Sequence, residues 1–242
     1  MLYIHGGGWH AGNLETEDYT CRVLCSRFPS IVISTSYRKG PENKFPAPID
    51  DCYASYQWLD CHTAELGGDL EKVIICGGSA GAALAIAITY RLIHEDPDSI
   101  PAGLVLLSPL LLHPEICPPE YKPLHNSYTT NASAAFVPTS KLSPAFSNLG
   151  IHFPLANPEW FPLSMGAEGV KGFPATWIFN TDVEIFRDDG RVLEAAVKEA
   201  GGRVRRDVLL GLPHYFWCFP LRQKWREFWG RVIGGCRWVL EG

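Results

Sequence analysis

The pentapeptide Gly77-Gly78-Ser79-Ala80-Gly81 sets a serine between glycines two positions away on either side. The apolar run Val73–Cys76 precedes it, and a stretch of small residues reading AALAIAI follows it. That is a strand, a sharp turn and a helix, the context in which a G-x-S-x-G serine acts as a nucleophile. A serine hydroxyl attacks only when a base takes its proton and donors receive the oxyanion that forms. A strained turn pushes the hydroxyl forward, and side chains at either flanking glycine would collide with neighbouring strand and helix. Ala80, directly after the serine, is small, and its amide can serve the oxyanion. The competing reading is a phosphate-binding glycine loop. It wants G-x-G-x-x-G and an acidic residue about 20 positions on, a spacing this chain lacks. Ser79 is therefore the expected nucleophile.

The other parts of such a site have candidates too. His5-Gly6-Gly7-Gly8-Trp9 follows the first apolar run, and consecutive glycines let backbone amides approach a substrate carbonyl closely. The expected oxyanion donors are the amides of Gly7, Gly8 and Ala80, with His5 steadying the loop by hydrogen bonds. Eight histidines are available. His214, in the run GLPHYF, comes late and just after a predicted strand, as the order serine, acid, histidine requires. For the acid, Asp182 and Glu184 both follow the strand Thr176–Phe179, and spacing alone does not separate them. Asp188 and Asp189 read as first-turn helix residues, where negative charge suits the helix dipole.

These residues need a scaffold. Apolar runs at Leu2–Ile4, Ile31–Ser34, Val73–Cys76, Leu104–Leu107, Thr176–Phe179 and Val204–Leu210 predict strands. Helical patterns lie between them near 16–27, 49–62, 80–94 and 188–200, with a last helix near 221–240 whose Trp225, Phe228, Trp229 and Val232 form a core-facing stripe. The alternation predicts an α/β fold with a mostly parallel sheet and helices on both faces. The segment 113–172 breaks the rhythm, being rich in Pro, Ser, Asn and aromatic residues. It reads as a small cap-like insertion within one domain spanning 1–242, over the ends of the strands where open α/β sheets bind ligands.

Composition narrows the classes. Apolar residues at 46% and charged residues at 19% suit a globular enzyme, and a net charge of −5 argues against a nucleic-acid partner. The run Arg203-Val204-Arg205-Arg206 is too short to change that and reads as the solvated edge of a strand. The eight cysteines lack the paired short spacings of zinc sites and read as structural thiols of a reducing compartment. No metal or organic cofactor is expected. The sequon at Asn131-Ala-Ser133 carries no weight without a secretory signal, and the opening residues lack one. A cytoplasmic protein without a membrane span is the expectation.

Together these pieces resemble the hormone-sensitive-lipase-like branch of α/β-hydrolases, which includes the arylacetamide-deacetylase-like esterases. The runs HGGGW, YRKGPENKFPAPIDDCYASYQWL at 37–59, GGSAG, LLSP at 106–109, LSP at 142–144, RDDG and GLPHYF occur in that family's order along the whole chain. The resemblance implies an α/β-hydrolase fold and a serine carboxylic-ester hydrolase acting through an acyl-enzyme on small apolar esters. It also bears on the acid, since counting back four residues from Asp188, as the family's D-P-L-x-D-E pattern does, lands on Glu184. Glu184 is then the expected partner of His214, with Asp182 second.

Two departures stand out. The family elbow commonly reads GDSAGG, whereas Gly78 and Ala82 stand here. The family's HGGG loop also follows a third strand, so the resemblance implies that two strands and part of the cap are lacking. The strand near Ile31–Ser34 would then be an edge, open to pairing with a second copy. Aromatic residues of the cap (Phe136, Phe146, Phe153, Trp160, Phe161) fit an apolar substrate or simply core packing. Two other readings remain open at this level: an amide or formamide hydrolase of the same fold, and a truncated non-catalytic binding paralogue.

Overall fold

The computed structural model describes residues 1–154, 157–219 and 221–241. Its sheet has six strands: β1 (Leu2–Ile4), β2 (Ile33–Thr35), β3 (Ile74–Gly78), β4 (Gly103–Leu107), β5 (Ala175–Thr181) and β6 (Val204–Leu209). The spatial order is β2-β1-β3-β4-β5-β6, and all five pairings are parallel, so the described sheet is more uniform than the mostly parallel one expected. β1, β3 and β4 are buried throughout, as continuous apolar runs in a doubly covered parallel sheet should be. The outer strands β2 and β6 are only partly buried. The basic run lies on β6, the outer strand of the described sheet, where Arg206 pairs with Glu194 at 2.8 Å and Arg205 lies near Asp207.

Alternation along the strands feeds two cores. Leu2 and Ile4 point to one face and Tyr3 to the other. The first face is covered by α2 (Ala47–His62), α3 (Ala80–Glu95) and α6 (Arg187–Glu199), and the second by α1 (Asp18–Arg27) and α7 (Arg222–Leu240). α3 is buried from Ala80 to Thr89, which its run of small residues permits, because it lies close on the sheet beneath the turn that carries Ser79. In α7, Phe228, Trp229 and Val232 are fully buried, the expected stripe.

The cap-like segment is not structureless. It is a chain of helical turns that includes α4 (Ser127–Thr130) and α5 (Leu142–Asn148), with Leu155 and Ala156 outside the described residues. Prolines at 114, 119 and 162 start its 3₁₀ turns, where their missing N–H costs nothing, and Pro123 stands inside the second. Long-range bonds hold these turns instead. Asp188 accepts the amides of Asn126 and Ser127, and Asp189 accepts those of Leu111 and Leu112. The two aspartates do stand in the first turn of α6, but both are buried and tether the cap as well as facing the helix dipole.

Candidate active site

Ser79 lies between β3 and α3 with φ 50° and ψ −115°, a strained backbone for a residue with a Cβ. Its amide donates to the Leu107 carbonyl at 2.9 Å, and its own carbonyl accepts from Ala82 and Ala83. The flanking glycines are required by contact. A Cβ on Gly77 would meet the Gly81 carbonyl oxygen at 2.4 Å, and one on Gly81 would meet the Ile4 carbonyl oxygen at 2.1 Å.

His214 sits in the loop after β6, nearly buried. Its Nε2 is 3.1 Å from Ser79 Oγ and its Nδ1 is 2.5 Å from Glu184 Oε2. Glu184 is fully buried in the turn after β5, where Oε1 accepts from the Thr181 amide at 2.9 Å and from Asn180 Nδ2 at 3.2 Å. A carboxylate accepts only, so Nδ1 carries the proton and Nε2 is left to accept from the serine hydroxyl. Asp182 is elsewhere: its Oδ1 accepts the Gly211 amide at 2.6 Å, fastening the loop that carries His214.

Gly7 and Gly8 adopt positive φ of 118° and 60°, which glycine tolerates without strain. The Gly7 carbonyl turns back to accept from His10 and Ala11, and neither the Gly7 nor the Gly8 amide donates to a protein group among the described residues. Ala80 is the first residue of α3, where amides lack intrahelical partners. Gly7 and Gly8 line the cavity with Ser79, and Ala80 is fully buried. His5 does steady the loop: Nδ1 bonds the Gly6 carbonyl at 2.7 Å, Nε2 reaches Ser36 Oγ at 3.1 Å, and the ring stacks on Tyr37. Burial draws its pKa down, in keeping with a neutral structural imidazole. Trp9 anchors the far end of the loop, its ring packed among Phe45, Phe146 and Phe161.

Around Ser79 and His214 lies a cavity of about 720 Å³, walled largely by apolar side chains such as Trp9, Leu110, Phe136, Leu142, Phe186 and Phe219. Phe136 of the cap-like segment stacks on Phe219 of the histidine loop, with centroids 5.0 Å apart. Among the described residues no group of three or more His, Cys, Asp or Glu side chains is placed to hold a metal ion, and no helix is long and apolar enough to cross a membrane.

One acidic residue escaped the sequence reading. Glu17, just before α1, is buried and borders the cavity. Its Oε1 accepts from the Gly6 amide and from Tyr215 Oη, each at 2.8 Å, and its Oε2 accepts from Tyr3 Oη. Burial, with the Glu17 carboxylate beside them, pushes both phenols well above their ordinary range, so both are donors. A Glu-Asp pair at a helix start looks like ordinary dipole matching, and no local pattern reveals partners at positions 3, 6 and 215.

Known proteins are similar to this chain in sequence and fold over most of its length. The family described as alpha/beta hydrolase fold matches residues 1–218. A versiconal hemiacetal acetate esterase of Dothistroma septosporum is 33% identical over 240 residues, 98% of this chain and 72% of that protein. The crystal structure of vibralactone cyclase aligns with a TM-score of 0.89 and 28% identity, covering 99% of this chain and 70% of that one. An esterase of the bacterial hormone-sensitive lipase family aligns at 0.84 with 30% identity, covering 99% and 76%.

Proposed function

The chain belongs to the alpha/beta hydrolase fold family, in its hormone-sensitive-lipase-like esterase branch, and from that premise we propose that it hydrolyses small apolar carboxylic esters with Ser79 as nucleophile, His214 as base and Glu184 as the acid. The observation that carries the proposal is the continuous line of contacts from Ser79 Oγ through the imidazole to a fully buried carboxylate.

In the first step Nε2 of His214 takes the hydroxyl proton while Oγ adds to the ester carbonyl carbon. The amides of Gly7, Gly8 and Ala80 serve as the donors for the negative charge that develops on the carbonyl oxygen. The tetrahedral adduct collapses, the C–O bond to the alcohol breaks, and His214 returns the proton to the leaving oxygen. Water then repeats the sequence on the acyl-enzyme, releasing the acid and restoring Ser79. Glu184 holds the imidazole in the tautomer that accepts from serine and stabilises the imidazolium between the two proton transfers. The apolar wall of the cavity favours uncharged acyl and alcohol groups over charged ones.

The test is turnover of a short-chain aryl ester by wild-type protein and Ser79→Ala. Loss of all but a trace of the rate in the variant is expected; hydrolysis by purified S79A at near wild-type rate refutes the assignment.

A further inference from the structure

We propose that Glu17 is a positioning residue for ester hydrolysis: one buried carboxylate that holds the oxyanion loop and the histidine loop in register across the serine elbow. The inference rests on the triad reading above.

Glu17 Oε1 takes two donors from opposite sides of the site, the Gly6 amide and the Tyr215 hydroxyl. Gly6 directly precedes Gly7 and Gly8, which line the cavity, and Tyr215 directly follows His214. Two segments that are 209 residues apart in sequence (6 to 215) therefore meet on a single oxygen atom. Tyr3, on the strand that leads into the glycine loop, donates to the other oxygen, so the carboxylate is fixed at both ends. A carboxylate is suited to this because it accepts several donors at once and its own chain is held by the start of α1.

The elbow is shaped to admit the arrangement. A Cβ on Gly78 would stand 2.0 Å from Tyr215 Oη, and one on Gly6 would stand 2.2 Å from it. The hydroxyl is thus wedged between oxyanion loop and elbow, in the space a side chain at position 78 would need. This gives the departure from GDSAGG a physical meaning. Where the resembled family commonly has an acid on the elbow, this chain has glycine, a tyrosine hydroxyl fills the gap, and the carboxylate beside it comes from Glu17. Tyr215 itself takes a left-handed backbone, φ 58° and ψ 28°, an uncommon state for a bulky residue that its side-chain anchor helps to hold.

Misplacing the glycine amides weakens the transition state and leaves ground-state binding in the apolar cavity largely intact, so the loss falls on kcat and spares KM. Four variants test this: E17A, E17Q, Y215F and the double variant E17A/Y215F. Each is assayed on a short-chain p-nitrophenyl ester, with rates normalised to sites counted by a fluorophosphonate label. E17A is expected to lose about 10- to 100-fold in kcat with KM within about threefold, and Y215F to lose less. E17Q, whose amide oxygen still accepts from Gly6, is expected between wild type and E17A. Because the two side chains share one interaction, the double variant should be no slower than E17A alone. Labelled E17A with kcat within about twofold of wild type overturns the proposal, as does a double variant whose losses multiply. Should E17A yield no labelled protein, Y215F and E17Q decide, and normal kcat in both overturns it. Undiminished turnover by S79A is a different failure, that of the triad reading.

Discussion

Replacing Glu184 with glutamine changes one oxygen to an NH₂ group of nearly the same size, and the structure dictates which way that amide turns. The Thr181 amide and Asn180 Nδ2 both donate to Oε1, so that side of the pocket accepts only an oxygen. Turning the NH₂ toward them would set donor against donor in a fully buried site, leaving groups unpaired at about 1–3 kcal/mol each. The glutamine NH₂ therefore faces His214 Nδ1, which must become an acceptor, and the imidazole proton moves to Nε2. Nε2 then donates toward Ser79 and takes no proton from it. The imidazolium formed in the reaction also loses the negative charge 2.5 Å away. Acid-to-amide changes in serine proteases cost about 10⁴-fold in kcat, and the same tautomer reversal here predicts a similar loss, about 5 kcal/mol of barrier. Steady-state turnover of an aryl ester reads it, with thermal melting to show that the variant is folded. A folded E184Q enzyme within tenfold of wild type would refute the reasoning, because the histidine would then not depend on this carboxylate for its tautomer.

Other expectations follow from single contacts. In D182N the new amide oxygen still accepts from Gly211, so kcat should stay within about threefold of wild type, and a loss comparable to that of E184Q would put the acid at Asp182. Phe136→Ala opens the stacked pair bordering the cavity, a contact worth about 0.5–1.5 kcal/mol. KM for a bulky acyl ester should rise about 2- to 10-fold with kcat unchanged, and an unaltered KM counts against a substrate-contacting role. Gly81→Ala drives a methyl against the Ile4 carbonyl and should lower the urea-unfolding free energy by about 1–3 kcal/mol. Burial pulls the His125 imidazole down, but its hydrogen bonds to Asp189 and Cys117 outweigh it and push the pKa up from 6.5 to about 10. The stabilisation from this pair is complete below pH 6.5, the unfolded value, and is lost as pH rises toward 10. Urea midpoints across that window should fall less for H125Q than for wild type, and parallel curves would contradict the pairing.

What could be read from the sequence was what is local. The strand, turn and small-residue helix around Ser79 occupy 22 consecutive positions (74 to 95), and the contact that demands glycine at 77 lies within that run, whereas those at 78 and 81 come from Tyr215 and Ile4. The rhythm of apolar runs gave the strands to within a residue or two, although β2 begins at Ile33 and β3 runs on to Gly78. Asp182 and Glu184 could not be told apart by spacing because both leave the end of β5. What distinguishes them is the fold of the loop after β6, which brings Gly211 to one and His214 to the other. The cap-like segment showed no period because its turns are broken by proline and fastened by Asp188 and Asp189, some 60 residues away or more. Glu17 was invisible for a similar reason, since the three donors to its side chain lie 11, 14 and 198 residues away, beyond any helical or strand spacing.

The central claim is that Ser79 becomes acylated during turnover. Rapid quenching of the protein with a p-nitrophenyl ester, followed by mass analysis of the proteolytic fragments, tests it directly. The account predicts one acyl group added to the fragment that holds Ser79, formed within the burst of p-nitrophenol release and absent from S79A. An acyl group found only on another residue, or undiminished turnover with no covalent adduct at any time, would contradict it.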